Sequence, residues 1–235
     1  MAQSQSSVRN RLLRALSPED FGRLEPYLQQ TTLRMRDTLA EANTLLPNAY
    51  FLNSGIISLL ADLPEDRIEV GMCGREGAVG AAAAFGVTHT AHKLLCQADA
   101  ELLCIATARL EEAVNKSPSL AATMGRYLQA VTIQVGQTAY ANASLNIEAR
   151  LARWILMTDD RLDSFELPLT HEFLASMLGT RRPGVTTAVH VLEGARMIRA
   201  ERGVITVTDR AKLEHLASDA YGLAESEYDR FFGSA

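Results

Sequence analysis

Near the C-terminus of this 235-residue chain, two helical stretches meet at a single glycine. Helix-forming residues occupy 171–178 and again about 182–194, and Gly179 separates them. Counted from residue 171, small Ala175 is fifth, Gly179 is ninth and branched Val185 is fifteenth. Two helices that cross steeply need a small residue at the contact, a residue tolerant of positive φ in the turn, and a branched apolar residue that locks the second helix onto the first. The pattern therefore predicts a helix-turn-helix.

The second of these helices begins with a basic turn and is followed by a predicted hairpin. Arginine binds guanine O6 and N7 with two hydrogen bonds, and threonine reaches base edges, thymine methyls or phosphates. Residues 197–200 and 204–207 flank Glu201-Arg202-Gly203, which predicts a tight hairpin, the wing of a winged helix. We therefore expect a DNA-binding domain; two ordinary packed helices with solvated arginines are the alternative. The expected DNA contacts are Thr170, Thr180, Arg181, Arg182, Gly184, Thr186, Thr187, His190, Arg199 and Arg202.

Short apolar stretches fill the N-terminal half from about residue 31 to residue 107. Turn residues separate them at near-regular intervals, which is typical of a small barrel or roll of short strands. The expected strands include 49–52, 56–60, 68–72, 93–97 and 101–105. Short helices are expected before the roll, over residues 8–28.

A long helix is predicted between the two halves, from Ser117-Pro118 to about residue 143. Along this helix, apolar and small residues recur at intervals of three or four positions, as on a helix face that pairs with another helix. We expect this face to form a dimer interface, and packing of the helix on its own domain is the alternative. The expected interface residues are Leu120, Met124, Tyr127, Val131, Val135 and Thr138. Helix N-caps are expected at Ser17, Thr107, Ser117, Asn146 and Thr170.

Charge and composition exclude several classes of protein. The net charge of −5 argues against indiscriminate nucleic-acid binding. The charge is unevenly distributed, however, because residues 150–212 have a net charge of +2 and the rest of the chain a net charge of −7. A local basic patch on an acidic protein suits a selective binder that contacts an anionic partner through one face. No apolar run is long enough for a membrane span, and the N-terminus lacks a signal-peptide core, so we expect a cytoplasmic protein. Three cysteines without a CxxC pair and dispersed histidines predict neither disulfides nor a metal site, and the cysteines are expected to be buried packing residues.

Over nearly its whole length the chain resembles the Crp/Fnr superfamily of bacterial transcription regulators. The motifs that carry the resemblance are 167–175, 177–182, 203–210, 148–154 and, more loosely, 71–80. It implies an α+β fold with an N-terminal cyclic-nucleotide-binding-like β-roll, a long dimerisation helix and a C-terminal winged helix-turn-helix. The implied divisions are 1–107 for the roll and its N-terminal helices, 108–145 for the connector and dimer helix, 146–212 for the DNA-binding domain and 213–235 for an acidic helical tail. We expect the tail to fold back on the body; a partner-binding tail is the alternative.

The resemblance implies a homodimer without enzymatic activity that reads a pseudo-palindromic operator in double-stranded DNA, with RNA polymerase as a further partner if it activates transcription. Arg182 falls where family members place a base-contacting arginine, and His190 where a phosphate contact is usual. Thr187 replaces the second base-contacting side chain and Pro183 a frequent glutamate, so a different half-site is expected. Arg196 stands where glycine usually ends the recognition helix, which is strained if its φ is positive.

The roll of family members that bind cyclic nucleotides carries Gly-Glu and Arg-Ser or Arg-Thr pairs. Here the corresponding pairs are Gly80-Ala81 and His89-Thr90, and the missing arginine argues against cyclic AMP binding because nothing else matches a buried phosphate. The effector pocket is expected at Arg75, Glu76, Gly80, Ala81, His89 and Thr90, with an unidentified effector and no cofactor. A ligand-independent regulator with a scaffold roll is one alternative, and a small-molecule carrier or enzyme is the other, although no nucleophile–base pair supports catalysis.

Overall fold

The computed structural model describes residues 4–62, 67–163 and 166–233. Two short helices, α1 (Arg11–Arg14) and α2 (Pro18–Leu24), open the fold. Ser17 caps α2 as predicted, its hydroxyl accepting from the Asp20 N–H, and Pro18 occupies the first turn, where its missing N–H leaves no bond unmade.

The N-terminal domain is a roll of antiparallel strands. The strands are β1 (Gln29–Leu33), β2 (Thr38–Ala40), β3 (Thr44–Leu45), β4 (Asn48–Leu52), β5 (Ile56–Asp62), β6 (Arg67–Cys73), β7 (Ala78–Val79), β8 (His89–Thr90), β9 (Lys93–Ala98) and β10 (Ala100–Ala106). One sheet has the order β1-β10-β4-β7, the second β2-β9-β5-β6, and β3 pairs with β8. Alternate apolar side chains from both four-stranded sheets, such as Leu52, Ile57 and Leu102, are buried between them. The predicted roll and its five named strands are confirmed.

Two helices follow the roll, α3 (Thr107–Asn115) and α4 (Pro118–Ser144). Ser117 caps α4 as predicted, with its hydroxyl accepting from the Leu120 N–H at 3.2 Å. The predicted cap at Thr107 is wrong: α3 already begins at this residue, and its hydroxyl donates to the Pro47 carbonyl of the roll.

One face of α4 packs on the roll of its own chain. Leu120 and Met124 are 0% exposed and Tyr127 is 4% exposed, in one apolar cluster with α1, α2 and the roll. The prediction that these three residues form a dimer interface is therefore corrected, since their surfaces are already covered within the protomer. Val131, Val135 and Thr138 are half-buried.

The opposite face of α4 is exposed along its length. Its residues recur at alternating intervals of three and four and are small or polar. We call this set the α4 ridge: Ala122, Gly125, Gln129, Thr132, Gly136, Ala139 and Ala143. A Cβ added at Gly125 or Gly136 would meet open space, so no described residue of the chain covers the ridge at these positions.

The C-terminal domain is helical, with a small sheet. Its elements are α5 (Ile147–Asp159), β11 (Glu166–Pro168), α6 (His171–Met177), α7 (Arg182–Gly194), β12 (Ile198–Glu201), β13 (Val204–Val207) and α8 (Arg210–Ala217). The predicted N-caps are confirmed: Asn146 accepts from the Ala149 N–H and Thr170 from the Phe173 N–H. The sheet has the order β11-β13-β12, and β12 and β13 form the predicted hairpin.

The chain ends in helix α9 (Leu223–Phe232), which packs back against α4. Tyr228 is 7% exposed, and its hydroxyl donates to the Glu76 carbonyl of the roll. The expectation of a tail folded onto the body is confirmed for this helix. The boundary expected at residue 212 falls inside α8, however, whose Leu213 and Ala217 are buried in the core of the C-terminal domain.

Among the described residues, no helix is both long enough and apolar enough to cross a membrane. Cys73 and Cys96 are buried, in agreement with a packing role, and Cys104 is partly exposed. Burial raises the pKa of the Cys96 thiol to about 12, so this cysteine stays in its unreactive thiol form.

Candidate nucleic-acid interface and effector cavity

The two helices α6 and α7 meet in the geometry that their sequence predicts. Ala175 is 7% exposed at the crossing, Gly179 adopts φ +55° in the turn, and Val185 is fully buried between the helices. The predicted span of α7, residues 182–194, matches the structure. Proline near its start presets the helical φ and lacks an N–H that would need a partner.

The predicted DNA contacts are all at least partly accessible. Thr170, Arg181, Arg182, Thr187, His190, Arg199 and Arg202 are exposed, and Thr180, Gly184 and Thr186 are half-buried. Between them, Ala188, Val189 and Leu192 turn inward and hold α7 in the core. The basic start of α7 is therefore accessible from outside the protein.

Sequence reasoning missed His171, which joins the two helices. Its Nδ1 lies 3.0 Å from the Thr186 hydroxyl oxygen, and that hydroxyl donates to the Arg182 carbonyl. Since the hydroxyl proton is used in this way, His171 donates from Nδ1 to the threonine oxygen. The contact pairs the first residue of α6 with a residue one turn into α7, a relation that only the folded helix-turn-helix reveals.

The hairpin between β12 and β13 turns at Arg202 and Gly203, with φ of +52° and +80°. Positive φ at both turn residues gives the twist that adjoining antiparallel strands favour. Arg199 lies 3.5 Å from Glu201, with both side chains about two-thirds exposed, so this ion pair contributes little and leaves Arg199 available. Arg196, at φ +58°, carries the strain expected of a non-glycine residue at this helix end.

The helix-turn-helix is packed against the roll of the same chain. A Cβ built on Gly179 would lie 2.7 Å from the Ile68 Cδ1 of β6, so a larger residue here would force the Ile68 side chain to shift, in addition to the strain of its positive φ. Apolar residues of β5, β6 and β9 share one cluster with α5, α6 and α7. The shared cluster joins the strands of the roll to the helix-turn-helix within one apolar core.

Polar contacts reinforce this junction at Glu69, a carboxyl that is 5% exposed. The Trp154 indole N–H donates to its Oε1 at 2.9 Å, whereas Oε2 is buried without a partner among the described residues. Burial raises the pKa of Glu69 to about 7, against the opposing influence of Ser58, Trp154, Arg161 and Arg153. Near neutral pH the carboxyl therefore exists as both its neutral and its ionised form.

Arg75 and Glu76 belong to this junction and not to the roll cavity, which corrects the prediction for these two residues. Glu76 accepts from the Arg161 Nε at 2.8 Å, and Arg75 pairs with Asp163. The turn between β6 and β7 points toward α5, so its side chains bind the C-terminal domain. Both residues line a second cavity, of about 270 Å³, between α1, α4, α5 and α9.

The roll contains a cavity of about 210 Å³ beside α4. Four of the predicted pocket residues line it: Gly80, Ala81, His89 and Thr90. Most of the remaining lining is apolar, and its described residues include no arginine, lysine, aspartate or glutamate. The Tyr127 hydroxyl in its wall already bonds the backbone N–H and carbonyl of Ala78, each at 2.9 Å. The cavity therefore suits an uncharged, largely apolar ligand better than one bearing phosphate.

Comparison with known proteins agrees with this geometry. Residues 149–216 match the Crp-like helix-turn-helix domain. A structure described as a transcriptional regulator of the crp/fnr family from Eubacterium rectale is 17% identical, covers 88% of this chain and 97% of its own, and superposes with a TM-score of 0.69.

Two further structures have similar sequence identity, coverage and TM-score. FixK2 from Bradyrhizobium japonicum is 14% identical, covering 81% of this chain and 98% of its own at a TM-score of 0.69. The c-di-GMP-responsive global regulator CLP from Xanthomonas campestris is 17% identical. It covers 81% of this chain and 99% of its own, with a TM-score of 0.67. These likenesses establish the fold. No curated protein matches the sequence.

Proposed function

We propose that the chain is a DNA-binding transcription regulator of the Crp/Fnr family, and that it acts as a homodimer that reads a two-fold-symmetric operator under the control of a ligand in the roll. The observation that carries the proposal is the exposed, basic start of α7 on a helix-turn-helix whose other side is buried against the roll. The proposal places the protein in the cytoplasm, where its DNA would be.

Homodimerisation is supported by the α4 ridge, which is exposed over some twenty residues of a 27-residue helix. A three-four spacing lines residues up along one side of a helix, and small side chains allow two such helices to approach closely. Tyr140, 45% exposed, lies beside the ridge and gives it additional apolar area to bury. Two copies joined here would present two recognition helices, and half-site centres about 34 Å apart are expected.

The roll cavity supports control by a small molecule. It shares Tyr127 and Val131 of α4 in its wall, so a ligand there would contact the helix that also carries the ridge. The ligand would bias two arrangements of the dimer that differ in the spacing of their recognition helices. Its chemistry would be neutral and mainly apolar, which departs from cyclic AMP. An activator of this architecture would also contact RNA polymerase.

Replacing Arg182 with alanine tests the DNA-reading role. Its side chain is exposed and, among the described residues, makes no ion pair, so the variant should fold normally. A bidentate arginine–guanine contact is worth about 1–3 kcal/mol, and a dimer makes two, so operator affinity should fall at least roughly tenfold.

The matched control is Arg14→Ala, which removes the same charge from an exposed position of α1, outside the C-terminal domain. It should reduce operator affinity only slightly. Equal losses for Arg182→Ala and Arg14→Ala would mean that binding follows net charge alone and would contradict sequence reading by α7.

A further inference from the structure

The exposed side of α7 is divided into two lines of residues, each with a spacing of four. Arg182, Thr186 and His190 form one line, with polar side chains. Pro183, Thr187 and Val191 form the other, which we call the α7 apolar line. Val191 is 49% exposed and so adds apolar surface to the accessible side of α7.

The threonine in the apolar line has already used its hydroxyl proton. The Thr187 Oγ1 donates to the Pro183 carbonyl at 3.1 Å, one turn earlier in the helix. Thr186 on the neighbouring line does the same toward the Arg182 carbonyl, also at 3.1 Å. In this arrangement Thr187 has no donor left for a base, and its γ-methyl is the side-chain group that remains for an apolar contact.

We propose that the α7 apolar line reads thymine 5-methyl groups in the major groove, with Thr187 as a specificity-determining residue that acts through its methyl and not its hydroxyl. The inference rests on the proposed function, since it deepens how the same helix reads its operator. The 5-methyl of thymine is the one apolar group on base-pair edges in the major groove, and threonine methyls make suitable contacts with it. Arg182, one line away, supplies the hydrogen-bonded contact to guanine.

The line also has the right extent for more than one base. Val191 lies eight positions after Pro183, which is about 12 Å of helix at 1.5 Å per residue. Its N-terminal end coincides with the part of α7 that is free to enter a groove. The operator half-site is therefore expected to combine a guanine with at least one nearby thymine whose methyl is required.

The test compares an operator selected from random duplexes with copies in which each thymine in turn is replaced by deoxyuridine, which lacks only the 5-methyl. At one or more thymines per half-site, affinity should fall about fourfold per buried methyl, equivalent to about 0.8 kcal/mol. Specific binding that is unchanged by every deoxyuridine replacement would overturn the inference and leave the proposed function intact. Failure to select any operator would overturn the proposed function itself.

Two substitutions identify the group that Thr187 uses. Thr187→Val keeps a methyl at the same place and removes the hydroxyl, so it should bind the operator as tightly as the parent. Thr187→Ser keeps the hydroxyl and removes the methyl, so it should lose about fourfold per half-site and become insensitive to deoxyuridine at the matching position. The reverse order, with Ser tolerated and Val not, would show that the hydroxyl reads the base and would overturn the proposal.

Discussion

Replacing Glu69 with glutamine should change how the stability of this protein depends on pH. The carboxyl is buried between the roll and the C-terminal domain, its Oε2 has no partner among the described residues, and its pKa is raised from 4.5 to about 7. A rise of this size corresponds to about 3 kcal/mol, at roughly 1.4 kcal/mol per pH unit. Because the folded state holds the proton more tightly than the unfolded state, the stabilisation is complete below pH 4.5 and is lost as pH rises through about 7.

Glutamine at this position stays neutral and can still accept the Trp154 N–H. The variant should therefore match the parent near pH 4 and become more stable than it by about 3 kcal/mol at pH 8. The groups that face Glu69 with positive charge, Arg153 and Arg161, are unchanged in both proteins, so the difference isolates the carboxyl.

Urea unfolding followed by tryptophan fluorescence suits the measurement, because Trp154 is the single tryptophan and its indole bonds Glu69. Glu172→Gln, at an exposed position of α6, serves as the control and should show no pH-dependent difference from the parent. A constant difference between pH 5 and 8 would refute the argument, as would a Glu69→Gln protein less stable than the parent at pH 8. Either result would mean that the two arginines hold the carboxyl ionised.

Other substitutions test the junction and the α4 ridge. Gly179→Ala should destabilise the fold by about 2 kcal/mol, since the new side chain would combine a left-handed φ with a close contact on Ile68. The control is Gly194→Ala, which has open space around its Cβ and should stabilise the fold by about 0.5–1 kcal/mol. Denaturant midpoints that move equally for the two variants would show that the contact with Ile68 has no effect on stability. If the proposed dimer forms through the α4 ridge, Gly136→Arg should yield a folded monomer by analytical ultracentrifugation and circular dichroism, because a bulky charge would separate the two α4 helices. A Gly136→Arg protein that remains dimeric would place the interface elsewhere.

The local elements of the DNA-binding domain could be predicted because their signals are local. Gly179 tolerates the left-handed φ of the turn between α6 and α7, and the Thr170 hydroxyl accepts a hydrogen bond from a free N–H at the start of α6. Arg202-Gly203 suits the tight turn of the β12–β13 hairpin. These preferences depend on a few neighbouring residues and not on the rest of the fold. The roll strands were also predictable, since turn residues interrupt short apolar stretches. Among the predicted N-caps, Thr107 is the one that is wrong, because its hydroxyl donates to the Pro47 carbonyl of the roll.

Features that depend on how domains meet could not be read from the sequence. The three-four period of α4 correctly predicted a helix, but Leu120 and Met124 belong to the face that the roll covers, and the ridge of small residues opposite carries no hydrophobic signal. The sequence predicts Arg75 and Glu76 in the roll cavity, but they form ion pairs across the domain junction with Asp163 and Arg161, respectively. The contact of Ile68 with Gly179 joins residues more than a hundred positions apart and has no local signature.

The most direct test of the account is selection of binding sites from a random pool of duplex DNA by the purified full-length protein. The account predicts enrichment of a two-fold-symmetric motif with half-site centres one helical turn apart, obtained either without ligand or on adding a neutral, apolar one. Affinity for the motif should exceed affinity for unrelated duplexes at physiological salt. Weak binding that is equal for all sequences and disappears as salt increases, with every ligand tried, would contradict it, because phosphate contacts alone behave in this way.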